Sequence, residues 1–478
     1  MKTVIDPQKE IPVYAEADVV VVGGGPAGIG AALSSARNGA KTILLEQFGS
    51  LGGLQTQCFN TCFSYVDSEI QGGVIRDIMD RLKKGGGMTK DASADTRQMR
   101  GMGGVFFDAE YYKFLLDNMM AEAGVKLLYH AFGVGAIRDG NILKGIFIEC
   151  MEGKKALLGK VIIDTTGNAD IAWKSGASVM SGGFPYGPKK GRTMGYGYAF
   201  FLGGVDVPKL KQFRKEYPEE WGTMHAGEKV IAQAKAEGKL TGMRQSYILS
   251  EVYRGPRIWV MGAHHPIPAG HQNWMLEDLT EGEIHLRQAA WGSLNLLKEN
   301  VPGFENAYME KTPNIPVLRD THRVLGQYVL TEQDMRQGRA FDDSIAISNM
   351  WPDIFGPDYE HPDIFYTPPY DIPYRSLVSK DTDNLLGAGA TISADFVAWA
   401  AVRYCTPSIC TGQAAGTAAA LAVKDNVTPK QLNVKKLQDT LRKQGARVTV
   451  NEVPKPVMDE YYKTVERLAE NKKETVKA

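Results

Sequence analysis

Two stretches of the chain hold side chains that can move protons or stabilise negative charge. In WVMGAHHPIPAGHQNW, residues 259–274, His264 and His265 follow a short apolar run. Histidine titrates near neutral pH, so an imidazole here is a candidate proton donor or acceptor. Neighbours on a strand point to opposite faces, so only one of the pair can look into a given site. In Arg319-Asp320-Thr321-His322-Arg323, two guanidiniums bracket another imidazole. Cations so placed stabilise charge that develops on a bound molecule. His271 and Arg403 complete the candidates. Each has an ordinary alternative: a hydrogen-bonded structural histidine, or an arginine in a surface or inter-domain ion pair.

The five cysteines are less informative. Cys58 and Cys62 lie four apart, the spacing of one helical face, and Cys405 and Cys410 lie five apart. Neither pair is a ferredoxin-like C-x2-C run, and a cluster needs about four converging thiolates. They read as buried small hydrophobes, and no metal site is expected. The odd count, with no apolar leader at the N-terminus, points to reduced thiols in a cytoplasm.

These groups need a frame, and its clearest sign is ADVVVVGGGPAGIGAALSSARNG, residues 17–39. Val19–Val22 is a short apolar run against glycine, the pattern of a buried parallel strand. Pro26 suits the first helical turn, and Gly39 suits the position just past the helix end. A second apolar run, KTILLE, follows. Within this strand–turn–helix–strand unit, Gly23, Gly25 and Gly28 fit G-x-G-x-x-G, with Pro26 and Ala27 between them. Gly23 permits the tight turn, Gly25 admits a diphosphate to the backbone, and Gly28 lets helix and strand pack. The helix N-terminus then favours the negative charge. Glu46 ends the second strand 18 residues after Gly28, where a carboxylate accepts ribose hydroxyls. The unit predicts dinucleotide binding.

Three further stretches narrow the cofactor. EQFGSLGGLQTQC runs from Glu46 and Gln47 through Gly52, Gly53, Leu54, Gln55 and Thr56. VIIDTTGNADIAWKSGA, residues 161–177, is an apolar strand ending in Asp164-Thr165-Thr166-Gly167. DNLLGAGATISADFVAWAAVRYCTPSICTGQAAGTAAALA, residues 383–422, is a strand ending at Gly387-Ala388-Gly389 followed by a small-residue helix, expected to start near Thr411-Gly412-Gln413. With LKENVPGFENAY and VLRDTHRVLGQYVLTEQD, these resemble the FAD-dependent oxidoreductases related to the fumarate reductase and succinate dehydrogenase flavoproteins, two-dinucleotide-binding-domain proteins that are mostly bacterial. The resemblance spans nearly the whole chain. It implies FAD, a Gly-Gly pair beside its diphosphate, a strand at Phe132, Gly133 and Val134 beside its adenine, and a C-terminal helix aimed at the flavin. In the pattern resembled, the arginine stretch is closer to R-E-x-R-R. Arg319 and Arg323 match it, while His322 replaces an arginine.

The expected fold is therefore α/β, a Rossmann-like FAD-binding domain with an inserted α+β substrate domain. The FAD-binding part is assigned to 1–175 and 372–478, and the substrate or cap part to 176–371. Lys83–Gly104 reads as a mobile loop, and Trp351–Tyr374, rich in proline and aromatics, as an ordered irregular loop able to close over the flavin. The chain of 478 residues carries 55 basic and 55 acidic side chains, which gives no broad basic footprint for nucleic acid. No run reaches a membrane span. The expected activity is hydride transfer between flavin and a small polar or carboxylated molecule, with Arg319, Arg323, His322, His264 and His265 as the catalytic candidates. An external electron donor or acceptor is required, and a homo-oligomer is compatible with the sequence. The alternative is an electron-transfer subunit resembling the heterodisulfide reductase flavin subunits, although their extra cysteine motifs are missing here.

Overall fold

The structure, a computed structural model, describes residues 2–4, 9–64, 68–88, 104–184, 190–222, 225–251, 255–354, 367–459, 461–463 and 466. The valine run is the buried end of β1 (Val13–Val22), and the glycine turn leads into α1 (Pro26–Arg37). Pro26 occupies the first helical turn, and Gly39 takes the left-handed backbone just past the Asn38 cap. β2 (Thr42–Leu45) returns parallel to β1, and β3 (Lys126–Leu128) adds parallel to β2. On the other side of β1 the chain forms β4 (Phe132–Asp139), β5 (Ile142–Cys150) and β6 (Gly153–Asp164), an antiparallel meander whose last strand lies parallel to β1.

A second, five-stranded antiparallel sheet follows. It contains β7 (Tyr196–Gly203), β8 (His225–Ala226), β9 (Met243–Glu251), β10 (Ile258–His265) and β11 (Tyr308–Lys311), in the order β8-β9-β10-β7-β11. The helix Leu276–Asn300 buries Leu286, Ala290, Leu294 and Leu297 in the core of this sheet. The chain then returns to the first sheet. β12 (Leu385–Gly387) adds parallel to the end of β6, completing seven strands. The first sheet thus unites segments more than two hundred residues apart.

The long C-terminal helix, Cys405–Asp425, is labelled α2 here and packs on α1. A side chain at Gly412 would overlap the Ala27 carbonyl, and one at Gly416 the Ala31 carbonyl. Small residues are what let the two backbones approach this closely.

The architecture is α/β with a parallel-rich, Rossmann-like sheet, as the sequence predicts. Four local expectations need correction. The helix expected to start near Thr411 starts at Cys405, so Thr411, Gly412 and Gln413 lie within it. Proline is tolerated in the first turn, whose N–H groups lack helical partners, and Pro407 sits there. The stretch Trp351–Tyr374 is not wholly irregular: Tyr370–Pro373 is a strand paired with Ser344–Ser348, and 355–366 lie outside the described residues. Cys58 and Cys62 do not share a helix, because Cys58 caps a short helical turn and Cys62 opens a strand. Of the predicted loop Lys83–Gly104, residues 89–103 lie outside the described residues, while Lys83 and Lys84 end a helix.

Candidate active site

The carboxyl ends of β1, β2 and β6 open onto one cleft of about 1150 Å³, its solvent mouth included. This is where open α/β sheets hold ligands. Each strand delivers its next residues to the wall: Gly23, Gly25, Pro26 and Ala27 after β1; Glu46, Gln47 and Phe48 after β2; Thr165, Thr166, Gly167 and Asn168 after β6. Gly53, Leu54, Phe132 and Gly133 close the same wall.

The turn after β1 is held from several sides. Gly23 has φ +101°, and a Cβ there would stand 2.6 Å from the Thr165 carbonyl oxygen. A Cβ on Gly28 would overlap the Gly23 carbonyl. Thr165 Oγ1 donates to the carbonyls of Val22 (2.9 Å) and Gly23 (2.8 Å). Glu46 is buried, and its two oxygens accept the N–H groups of Gly24 (2.7 Å) and Phe48 (2.9 Å). Burial raises the Glu46 pKa, partly offset by these N–H donors. Glu46 therefore braces the glycine turn as well as lining the cleft. Asp164 does similar work behind β6. It accepts from Thr166 Oγ1 (2.8 Å), Ile171 N (3.0 Å) and Ala172 N (2.9 Å), and burial pushes its pKa up to about 6.

Other expected cofactor residues support the wall from behind. The Gly52 N–H donates to the Gly24 carbonyl (2.9 Å). Thr56 Oγ1 donates to the Leu51 carbonyl (2.6 Å), and Gln55 accepts from the Tyr112 hydroxyl (3.3 Å). Val134 continues β4 past Gly133. The Gly389 N–H donates to Thr411 Oγ1 (3.1 Å), while its neighbours Ala388 and Ala390 face the cleft. Gln413 accepts from the Val74 N–H (2.9 Å), so the Thr411–Gln413 segment joins helices instead of contacting the cleft.

The true start of α2 does reach the cleft. Arg403, Cys405 and Ser408 line it beside the start of α1. Two helix N-termini thus bound one cavity, which suits a molecule with a diphosphate and a second electron-rich end. Sequence reasoning placed this helix start six residues late, and Pro407 is the signal that marks it. Ile315, Pro316 and Leu318 form another wall the sequence did not announce.

None of the five catalytic candidates is among the lining residues. Leu318 lines the cleft, and Arg319 beside it turns to the other side of its extended segment. There Arg319 Nη1 approaches the Gly195 carbonyl (3.4 Å) in a buried setting. Burial, then the charges of Arg244 and Arg403, push its pKa down to about 9, so it stays charged at neutral pH. Arg323 forms a buried ion pair with Asp320 (3.2 Å) and lies over the Trp399 ring. His322 stacks on Trp173 (5.0 Å between rings) and meets Trp274 (4.5 Å). The neighbouring histidines do face opposite ways. His265 stacks on Tyr196 and approaches His285, while His264 lies against Gly195. The thiols of Cys58 and Cys405 are pushed up by burial, which keeps them protonated.

Residues 18–441 match the model of a family described as FAD dependent oxidoreductase. The chain belongs to the FAD-dependent oxidoreductase family. Its members are enzymes, and its cofactor is FAD. Among curated proteins, the chain is 45% identical over 85 residues to the tRNA uridine 5-carboxymethylaminomethyl modification enzyme MnmG of Lactobacillus johnsonii, covering 18% of this chain and 12% of that one. It is 28% identical over 161 residues to the digeranylgeranylglycerophospholipid reductase of Methanocaldococcus jannaschii, covering 31% of this chain and 38% of that one. The chain thus spans well under half the length of these relatives. Among solved structures, the geranylgeranyl bacteriochlorophyll reductase-like protein of Thermoplasma acidophilum aligns over 91% of this chain and 85% of its own, at 13% identity and a TM-score of 0.48.

The cleft fits this cofactor on its own geometry. A Cβ on Gly25 would meet nothing closer than the Gly53 Cα at 3.9 Å, and one on Gly167 nothing within 4 Å. The wall is kept bare where a large ligand would press against the backbone. Among the described residues no helix is long and apolar enough to cross a membrane.

Proposed function

We propose that the protein is a cytoplasmic dehydrogenase or reductase that moves a hydride between FAD and a small polar or carboxylated substrate. Its kinship, on the motifs quoted above, lies with the fumarate reductase and succinate dehydrogenase flavoproteins. The observation that carries the reading is the convergence of two helix N-termini on one glycine-walled cleft, with Arg403 at the second of them.

Bound FAD supplies the hydride chemistry. The start of α1, with Gly25, Pro26 and Ala27, would hold the diphosphate, and Glu46 would accept the ribose hydroxyls. The start of α2 and the Arg403 guanidinium line the cleft and would favour negative charge on the part of the group bound beside them. Pro316 and Leu318 give the cleft an apolar wall that would exclude water once the group is bound. Arg403 is fixed by Asp353, whose carboxylate accepts from Nη2 at 2.9 Å.

The test is anaerobic. Flavin reduction by a panel of hydroxy acids, and reoxidation of reduced flavin by enoic and keto acids, are followed in the wild type and in Arg403→Met. On the strongest substrate, the variant is expected to slow transfer by about 100-fold or more, the scale for losing one stabilising donor. FAD affinity should change only a few-fold. Equal rates in the two proteins contradict the assignment. Electron passage only to protein partners, with no small molecule turned over, would instead support the heterodisulfide-reductase-like alternative.

A further inference from the structure

We propose that the protein forms a two-fold dimer in which the exposed faces of two copies of the helix Leu276–Asn300 pair antiparallel. The occupant of this surface is a second copy of this chain.

The helix buries one side only. Leu286, Ala290, Leu294 and Leu297 face the second sheet. That sheet turns its other face, at Ala199 and Trp259, to Phe59 and Cys62. The far side of the helix is left to solvent. On it stand Glu277, Ile284, Trp291 and Lys298, each seven residues from the next and all exposed. Seven residues are close to two helical turns, so the four form one row about 30 Å long. This is also the repeat of a seam between two helices. Ile284 is 51% and Trp291 53% exposed, and a charge stands at either end of the row. An apolar centre between charged ends is the layout of a contact core inside a polar rim.

The order acid, apolar, apolar, base is self-complementary when reversed. A two-fold axis at Arg287 and Gln288 lays Ile284 on Trp291 of the other copy and Glu277 on Lys298 of the other copy. Symmetry makes each contact twice. A parallel pair would instead set Glu277 against Glu277 and Lys298 against Lys298. Antiparallel packing also opposes the two helix dipoles. The end charges are free to pair in this way. Arg287 is matched within the chain by Glu283 (3.0 Å), whereas neither Glu277 nor Lys298 has an ion pair among the described residues. A single helix pair buries less than the about 1,600 Å² of a standard interface, so a reversible dimer of micromolar affinity is expected.

Sedimentation velocity of the full-length protein, with FAD supplied, tests this over about 1–100 μM, the range such an affinity requires. The expected result is a monomer–dimer equilibrium whose dimer fraction falls at high salt. Trp291→Glu should stay monomeric throughout. Glu277→Lys should weaken the dimer about ten-fold or more, and adding Lys298→Glu to it should restore the dimer. Gln288→Cys, beside the axis, should oxidise to a covalent dimer, while Glu277→Cys, far from the axis, should not. A parallel pair would cross-link both. These positions are exposed, so the variants are expected to fold, and their Tm values check it. A wild type that is monomeric throughout, a dimer untouched by Trp291→Glu, or a charge reversal that the double variant does not rescue overturns the surface. A monomer that instead binds lipid vesicles through Trp291 assigns the row to a membrane and overturns the dimer. None of these readouts depends on the flavin reading.

Discussion

Glu46 shows how one side chain serves both shape and binding. Its oxygens already accept two backbone N–H groups, from Gly24 and Phe48. In Glu46→Gln one acceptor becomes an amide N–H2 that faces a donor. Leaving such a buried group unsatisfied costs about 1–3 kcal/mol. Urea unfolding of the variant should show that loss, and FAD should bind more weakly because the turn that cradles it loosens. His264 gives a pH prediction. Its folded pKa lies near 3, below the usual 6.5, so in that window the unfolded chain binds a proton that the folded chain refuses. Stability is therefore full above about pH 6.5 and is lost progressively as pH falls toward 3. His264→Gln should flatten the dependence of Tm on pH between 6.5 and 4, and a slope as steep as the wild type's would contradict the burial argument.

At the scale of elements, the crossing of α1 and α2 sets the distance between the two helix N-termini at the cleft. Gly412→Ala places a methyl group against the Ala27 carbonyl. Overpacking of this kind costs about 1–3 kcal/mol. A lowered Tm together with weaker FAD binding is expected, and an unchanged Tm would mean that the crossing relaxes freely. The same crossing explains which helix was legible in the sequence. α1 was legible because the apolar run, the glycines, Pro26 and Gly39 all mark the same boundaries. The start of α2 was misplaced because Thr411-Gly412-Gln413 reads as the opening of the small-residue helix, whereas Gly412 lies inside it and serves helix contact. The Gly-Gly pair at 52–53 is expected beside the diphosphate from the resemblance alone; of the two, Gly53 lines the cleft while the Gly52 N–H donates to the Gly24 carbonyl.

For the whole molecule, the first sheet is closed by β12, so the cofactor site depends on both ends of the chain. The α/β class and the cofactor could be read from motifs that are local in sequence. The setting of Arg319 could not, because strand pairing and the extended 316–319 segment assemble it across distant positions. Arg319 was singled out from the sequence, but which side of its segment it faces is set by pairing between Val317 and Gly197. The bare wall at Gly25 gives the most direct test of the whole account. Its backbone, at φ −72°, admits any residue, and the one atom within 4 Å of its missing side chain is the Cα of Gly53, which lines the cleft with it. The measurement is the visible absorption spectrum after incubation with FAD and gel filtration, before and after dithionite, for wild type and Gly25→Val. The account predicts two oxidised-flavin bands that bleach in the wild type, and a folded variant that stays colourless. A colourless wild type, or a variant that keeps a full complement of flavin, would contradict it.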